Sequence, residues 1–131
     1  MSAQIVKVRD VMTREVLSID GMASAKDAAQ MMRDHGVSEL LVAKRNEHDA
    51  WGIVTIMDMV KNVIVPGRKS TDVFVYEIMT KPILTVPADM DIRYAIRLIE
   101  RLGFRRAPVE HHGEIIGMIT LYNLVLENSL I

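Results

Sequence analysis

The sequence contains two copies of one pattern, and this duplication constrains the fold more than any other feature. Val11-Met12-Thr13 reappears 67 residues later as Ile78-Met79-Thr80. After a polar stretch in which the first copy is two residues longer, residues 52–58 match residues 117–123 at an offset of 65. A length change confined to a polar stretch is typical of a turn between strands. The chain is therefore predicted to contain two related units of about fifty residues each.

Each copy predicts the order strand, helix, strand, strand, helix. Short apolar runs indicate the strands, helical spacing of apolar residues indicates the helices, and Gly36 and Gly103 are typical of helix ends. Ser24 and Asp27 form an N-terminal capping box, and Asp91 is the corresponding cap in the second copy. The predicted strands are residues 16–19, 40–43 and 53–55, then 83–86, 107–110 and 115–120, and the predicted closing helices are 57–65 and 121–130.

This order predicts an α+β fold of the layered, sandwich-like type. The two β-α-β-β-α repeats are residues 8–65 and 75–128, and residues 66–74 form a turn-rich linker. A repeat this short cannot easily bury its apolar faces alone, so the two are expected to pack together about a pseudo-two-fold axis. Such packing leaves clefts between the repeats, and clefts between units are common ligand sites.

Composition excludes several classes of protein. Of the 131 residues, 50% are hydrophobic and 25% are charged, which is typical of a globular domain with a core. The net charge is −1 and no basic stripe stands out, so neither nucleic acid nor membrane is an expected partner. The absence of cysteine excludes disulfides, thiolate metal sites and a cysteine nucleophile. No apolar run approaches about 18 residues and no signal peptide is evident, so a cytoplasmic location is expected.

Familiar catalytic motifs are also missing from the sequence. It has no Gly-x-Ser-x-Gly elbow, no His-Glu-x-x-His, no Gly-x-Gly-x-x-Gly and no phosphate loop ending in Gly-Lys-Ser/Thr. The repeat accounts for nearly every residue, which leaves little chain for a catalytic domain. We therefore expect a binding module that is not an enzyme and requires no cofactor.

Thr55 and Asp58 allow two interpretations. In the first they form a capping box, whose hydroxyl and carboxylate satisfy free N–H groups at the start of the closing helix. In the second interpretation, the same N-terminus of the closing helix binds a nucleotide. A helix N-terminus offers donors to phosphate, and a nearby carboxylate accepts hydrogen bonds from the vicinal hydroxyls of a ribose.

Arg105 and Arg106 also have two interpretations. They follow Gly103 and precede a buried strand, where they either form a solvated strand entrance or donate to phosphate. The first copy differs here, because its matching residues are Ser38 and Glu39, and a carboxylate repels phosphate.

The histidines and the tryptophan favour structural roles. His111 and His112 are adjacent, so on a strand they would point to opposite faces and would not chelate one metal together. His35 precedes a helix-ending glycine, where a cation is favourable. Trp51 is interpreted as a packing or dimer contact rather than a platform for base stacking.

Taken together, the ordered motifs resemble a tandem pair of cystathionine-β-synthase (CBS) domains, often called a Bateman module. Val-x-x-Val-Met-Thr and Val-x-x-Ile-Met-Thr open the copies, and Arg106-Ala107-Pro108-Val109 follows the helix of the second copy. The segments at 52–58 and 117–123 close them with Gly, two hydrophobic residues, Thr, and Asp or Asn. The resemblance covers residues 8–125. It implies a sensor that binds adenine nucleotides or related adenosyl ligands in clefts between the domains, and that often dimerises into a flat disc.

The resemblance also implies which residues bind ligand. In the family, the aspartate of the closing segment holds the ribose, the threonine faces the phosphates, and each cleft draws on both copies. The implied first cleft combines Thr55, Asp58, Thr85, Val86, Arg105, Arg106 and Pro108. The implied second cleft combines Ser18, Ile19, Ser38, Glu39, Thr120 and Asn123. Since the second has an amide in place of the ribose carboxylate and a misplaced acid, we predict one good nucleotide site rather than two.

The sequence therefore predicts a regulatory module that binds AMP, ADP or ATP, or a related adenosyl compound. The expected partners are that ligand, a second copy of the chain in a homodimer, and a regulated protein that the sequence does not identify. The alternative is a scaffold with an empty cleft, which dimerises or docks on a partner protein.

Overall fold

The computed structural model describes residues 5–128, which form two compact units. The first unit is residues 17–83, and the second unit is residues 5–16 together with 84–128. Each unit holds one three-stranded mixed sheet with helices, so the predicted α+β class is confirmed. The last two residues of the predicted closing helix at 121–130 lie outside the described residues.

In chain order, the helices are α1 (Val8–Val11), α2 (Ala25–His35), α3 (Ile56–Met59), α4 (Val75–Ile78) and α5 (Ile92–Arg101). The strands are β1 (Ser18–Ile19), β2 (Glu39–Val42), β3 (Gly52–Thr55), β4 (Val86–Pro87), β5 (Arg106–His111) and β6 (Glu114–Thr120). Two π-helical segments (Val60–Ile64 and Asn123–Glu127) and a 3₁₀ turn (Ser70–Asp72) complete the elements.

The two sheets have the same topology. In the first unit β1 runs parallel to β2, which pairs antiparallel with β3. In the second unit β4 runs parallel to β5, which pairs antiparallel with β6. A register shift between Val109 and Glu110 interrupts the second antiparallel ladder. The strand order that the sequence predicts is therefore present in both copies.

Local signals account for the long helices. At the start of α2, the Asp27 N–H donates to Ser24 Oγ at 3.0 Å and the Ser24 N–H donates to Asp27 Oδ2 at 3.3 Å, which confirms the predicted capping box. Gly36 ends α2 with a φ of 65°, a left-handed conformation that glycine adopts without strain. Asp91 caps α5 by accepting from the Arg93 N–H at 2.9 Å.

The segment that opens each sequence repeat packs on the sheet of the other repeat. Thr13 and Met118 exchange two backbone hydrogen bonds of 2.9 Å, which attach the chain after α1 to β6 within the second unit. Thr80 and Ile53 exchange the same pair, also at 2.9 Å, which attaches the chain after α4 to β3 within the first unit. Each compact unit therefore contains the opening segment of the other sequence repeat, so the boundaries of the units differ from those of the repeats.

Each unit has its own apolar core. In both, the core lies between the sheet and the helices, and most of its side chains come from the predicted elements and from the short helices α1 and α4. The larger members of the first core are Ile19, Met32, Leu40, Val42, Val54, Met59, Val63, Val73, Val75 and Ile78. Those of the second are Val8, Val86, Ile92, Ile99, Val109, Ile119 and Leu124. None of the helices within residues 5–128 combines the length and the apolar character needed to cross a bilayer.

Candidate functional site

In the first unit, Thr55 and Asp58 form a reciprocal capping box at the junction of β3 and α3. The Asp58 N–H donates to Thr55 Oγ1 at 3.2 Å, and the Thr55 N–H donates to Asp58 Oδ2 at 2.8 Å. The capping interpretation is therefore confirmed as a description of the local structure. Both residues are half-buried, and no described residue donates to Asp58 Oδ1. A cap that uses one carboxylate oxygen is compatible with a ligand that uses the other.

Ser38 and Glu39 lie beside this box because β2 starts where β3 ends. Glu39 is paired with Thr55 across the sheet, and the Ile56 N–H donates to the Ser38 carbonyl at 3.0 Å. Glu39 is half-buried and Ser38 is exposed. This end of the first sheet therefore has an acidic character, with Asp58 and Glu39 both present.

In the second unit, Thr120 and Asn123 take the place of the box. The Asn123 N–H donates to Thr120 Oγ1 at 3.0 Å, and the Thr120 hydroxyl donates to Asn123 Oδ1 at 2.6 Å. The amide oxygen is thus occupied by the hydroxyl, and the remaining polar group of that side chain is an NH₂ donor. The strongest acceptor for a ribose diol is a charged carboxylate, which Asp58 provides and the neutral amide of Asn123 does not.

Arg105 and Arg106 lie at the same end of the second sheet as Thr120. Arg106 is paired with Thr120 across the sheet, and the Leu121 N–H donates to the Arg105 carbonyl at 2.9 Å. Both arginines are exposed. The position that is acidic in the first unit is therefore strongly basic in the second.

Three other residues of the implied first cleft are more buried than the arginines. The Thr85 hydroxyl donates to Glu110 Oε2 at 2.7 Å. Val86 has no exposed surface, and Pro108 is buried opposite Met118. Glu110 was not singled out from the sequence. An acidic residue that directly follows an apolar strand run is the signal that could have identified it.

The remaining residues of the implied second cleft lie in β1. Ser18 is exposed and Ile19 is 7% exposed, so the isoleucine side chain belongs to the core of the first unit. Both are held in the sheet, paired with Leu41 and Val42 of β2.

The histidine pair lies at the turn between β5 and β6, where the predicted strands place it. The ring centroids of His111 and His112 are only 4.0 Å apart rather than on opposite faces of a strand. The reason is that His112 lies beyond the end of β5 with a φ of 52°, so the alternation of a strand no longer applies. Within residues 5–128, no cluster of three His, Asp or Glu side chains is arranged to hold a metal ion.

His35 and Trp51 have the local contacts of structural residues. His35 Nδ1 lies 3.0 Å from the Met31 carbonyl in the last turn of α2. Trp51 is half-buried, and the Lys44 ammonium lies 6.0 Å from the centroid of its ring.

Asp49 is the most strongly perturbed acid of the first unit. Its carboxylate accepts from Lys81 Nζ at 2.6 Å and from Arg45 Nε at 3.1 Å, and its side chain is 7% exposed. The hydrogen bond from Lys81, followed by those from the Arg45 backbone and side chain, lowers the pKa of Asp49 well below the usual value for aspartate. This cluster ties the loop between β2 and β3 to the segment after α4.

The low pKa predicts how stability depends on pH. Because the folded pKa lies below the unfolded value of about 3.9, Asp49 stabilises the fold at neutral pH and loses this effect progressively below about pH 5. Asp49→Asn should therefore lower the urea midpoint at pH 7 and flatten its decline between pH 5 and pH 3. Asp72→Asn, at an exposed position, is the control and should keep the parental slope. An Asp49→Asn profile parallel to that of the parent would contradict the prediction.

The fold and the site define a class of protein: a duplicated α+β unit with a threonine and an acid or amide paired at one end of each sheet. The CBS domain model matches residues 8–65 and 75–128. The chain therefore belongs to the CBS domain family, and it carries the domain twice. A tandem CBS pair is a regulatory ligand-binding module.

Individual relatives are consistent with this assignment. MK0525, an uncharacterised protein of Methanopyrus kandleri, is 31% identical over 121 residues, which cover 92% of this chain and 61% of that protein. The chain thus spans less than two thirds of that relative. The hexameric CBS-CP12 protein from bloom-forming cyanobacteria is 32% identical with a TM-score of 0.84, over 95% of this chain and 72% of that chain.

A further structural neighbour has a ligand-bound form. The CBS domain pair of protein MJ0100 was solved in complex with 5-methylthioadenosine and S-adenosyl-L-methionine. It is 21% identical with a TM-score of 0.75, over 92% of this chain and 94% of that chain, a likeness that shows the shared fold.

Proposed function

We propose that this CBS pair is a sensor of AMP, ADP or ATP with one good nucleotide site per chain. Asp58 holds the ribose, Thr55 faces the phosphates, and Arg105 and Arg106 bind the phosphates. Thr85, Val86 and Pro108 form the wall of the same site. The residues of the second cleft (Ser18, Ile19, Ser38, Glu39, Thr120 and Asn123) make at most a weak site.

The observation that carries this proposal is the difference between the two closing boxes. In the first unit, Thr55 pairs with a carboxylate that has one oxygen available to a diol, whereas in the second unit the corresponding Asn123 is a neutral amide whose oxygen accepts from Thr120. The basic residues occur only in the second copy: Arg105 and Arg106 occupy the positions that Ser38 and Glu39 occupy in the first copy. If each cleft draws on both copies, as the family pattern implies, ribose and phosphate groups favour the same cleft.

The ligand class is supported by chemistry as well as by resemblance. Guanidinium groups form paired, charge-assisted hydrogen bonds with phosphate oxygens, and a carboxylate accepts from both hydroxyls of a ribose. The CBS pair of MJ0100, which shares the fold, binds two adenosyl compounds. Those ligands lack phosphate, whereas Arg105 and Arg106 favour a phosphorylated one here.

A thermal-shift panel tests the proposal. AMP, ADP, ATP, NAD and S-adenosylmethionine are added separately to the chain, with adenosine as the phosphate-free control. A nucleotide at 100 times its Kd adds about 2.7 kcal/mol of stability, which raises the Tm of a domain of this size by about 10 °C. Isothermal titration should then give one site per chain. No shift with any compound, or two equal sites per chain, would contradict the proposal.

A second candidate function, self-association as a scaffold, is favoured by exposed apolar side chains. On the first unit, Ile64 and Val65 follow α3 and are 69% and 75% exposed, and Ile56 and Met57 are also exposed. Exposed apolar side chains close together in the chain, as these are, make this segment a candidate interaction surface. The occupant we propose is a second copy of the chain, which accords with the dimers that the family resemblance implies.

The change Ile64→Lys tests this surface. It should convert a dimer to a monomer in size-exclusion chromatography with light scattering, because an ammonium group would be buried without a partner. Ile5→Lys is the matched control, since Ile5 is 64% exposed and lies in the other unit, before α1. A parent that is monomeric at all concentrations, or an Ile64→Lys variant that remains dimeric, would contradict the prediction.

A further inference from the structure

The first unit contains a pocket at the end of its sheet opposite to Thr55. The pocket has a volume of about 350 Å³, within the range of small-molecule sites. Its lining residues are Asp20, Gly21, Met22, Val42, Ala43, Arg45, Tyr76, Met79 and Lys81. The pocket follows the last residues of β1 and β2, whereas Thr55 is paired with the first residue of β2. A strand of four residues separates the two places by about 10 Å.

Much of the lining is apolar and well supported. Val42 is 2% exposed and belongs to the core, and Met79 packs against that core. The Tyr76 ring is stacked on Phe74, with centroids 5.5 Å apart and planes 13° apart. The Gly21 and Tyr76 backbones are joined by a hydrogen bond of 2.9 Å. These contacts place an aromatic ring and a thioether on the wall of the pocket.

The lining also carries charges of both signs from separate elements. Asp20 follows β1, and its Oδ1 accepts from the Met22 N–H at 2.8 Å. Arg45 and Lys81 share the carboxylate of Asp49, which is not itself part of the lining. Lys81 has three N–H donors and Arg45 has five, so one carboxylate does not exhaust them. With Asp49 included the four charges sum to zero, and Asp20 follows β1, Arg45 and Asp49 lie in the loop after β2, and Lys81 follows α4.

The second unit lacks the same lining. Pro87 occupies the position of Asp20, and Glu110 occupies that of Ala43, as the matching registers of the two sheets show. The charge pattern is therefore a property of this chain's first unit and not a consequence of the fold.

We propose that this pocket binds a free α-amino acid with a large apolar side chain. Lys81 and Arg45 donate hydrogen bonds to the α-carboxylate, and Asp20 accepts from the α-ammonium group. The apolar side chain of the ligand packs against Met22, Met79 and Tyr76. A zwitterion matches a lining in which Asp20 lies apart from Lys81 and Arg45, whose charges Asp49 partly offsets, whereas an anion would be repelled by Asp20 and a cation by Lys81 and Arg45. The chain would then respond to two kinds of metabolite at two separate places.

The experiment uses L-phenylalanine as the probe on the full chain, followed by ¹H–¹⁵N NMR. Binding should shift the amide signals of Gly21, Ala43 and Met79 in a saturable way. Two matched compounds each lack one charge: 3-phenylpropionate has no ammonium group and phenethylamine has no carboxylate. Both should bind roughly tenfold more weakly or worse. No shift with L-phenylalanine up to its solubility limit, or equal binding of either analogue, would overturn the proposal.

Variants separate this pocket from the nucleotide site. Asp20→Asn keeps an oxygen for the Met22 N–H and removes only the charge, so the fold is retained while L-phenylalanine binding falls roughly tenfold or more. Lys81→Gln should have a similar effect, and Lys69→Gln, outside the lining, should have none. Asp58→Ala should leave L-phenylalanine binding unchanged. Unaltered binding in Asp20→Asn would overturn the proposal whatever the outcome with nucleotides.

Discussion

Asp58→Ala should weaken adenine-nucleotide binding by roughly 10- to 150-fold, the equivalent of about 1.5–3 kcal/mol for hydrogen bonds to a charged group. The loss is large because a ribose diol would be left facing an apolar methyl group. Isothermal titration of ADP into parent and variant measures the effect. Adenosine should lose affinity by a similar factor, since the lost contact is to the ribose and not to the phosphates.

The control for this variant is Asp27→Ala. Asp27 occupies the same position in the capping box of α2 as Asp58 does in that of α3, and it makes the same backbone hydrogen bond. Both variants should therefore lose about 1 kcal/mol of folding stability. Only Asp58→Ala should lose affinity. Equal nucleotide affinity in parent and Asp58→Ala would remove Asp58 from the site, and equal losses in both variants would show that the effect is one of folding.

Local interactions explain why much of the fold was predictable. The Ser24–Asp27 box, the Asp91 cap and the left-handed Gly36 each depend on residues within four positions of one another, so sequence spacing is sufficient to identify them. The strand order was predictable because the repeat supplies two independent copies of each weak signal.

Features that depend on distant contacts were not predictable in the same way. The short helices α1 and α4 were not foreseen, because four residues give too little periodicity and their stability comes from packing on a sheet. The bridge between Thr13 and Met118 joins residues more than one hundred positions apart. The contact between Thr85 and Glu110 is likewise a product of strand pairing.

In the candidate site, too, the contacts between residues close in sequence were predictable, and those that depend on strand pairing were not. The hydrogen bonds of Thr55 with Asp58, and the different ones of Thr120 with Asn123, follow from three-residue spacing and side-chain chemistry. The placement of Arg106 opposite Thr120 needs the register of β5 and β6, which the repeat suggested and the sheet shows. The sharing of one ligand between Asp58 and the two arginines remains a proposal, which the variants above test.

Gly117→Ala should be strongly destabilising, by about 3 kcal/mol or a fall in Tm of about 10 °C. A Cβ atom at Gly117 would lie 2.5 Å from the Thr13 carbonyl oxygen and 2.6 Å from Met12 Sδ. The methionine can move, but the carbonyl is held by the Met118 N–H at 2.9 Å. The added methyl group must therefore displace the backbone that attaches the chain after α1 to the sheet.

Gly52→Ala is the matched control, because Gly52 has the equivalent place in the first unit. A Cβ there would lie 3.0 Å from Met79 Sδ, 3.2 Å from the Thr80 carbonyl oxygen and 3.3 Å from Val42 Cβ. Shifts of a few tenths of an ångström relieve these contacts, so the expected cost is about 1 kcal/mol. Urea unfolding of both variants measures the difference. A loss in Gly117→Ala no larger than about 1 kcal/mol would show that Thr13 can move away from β6 at little cost, and that the bridge contributes little to the stability of the second unit.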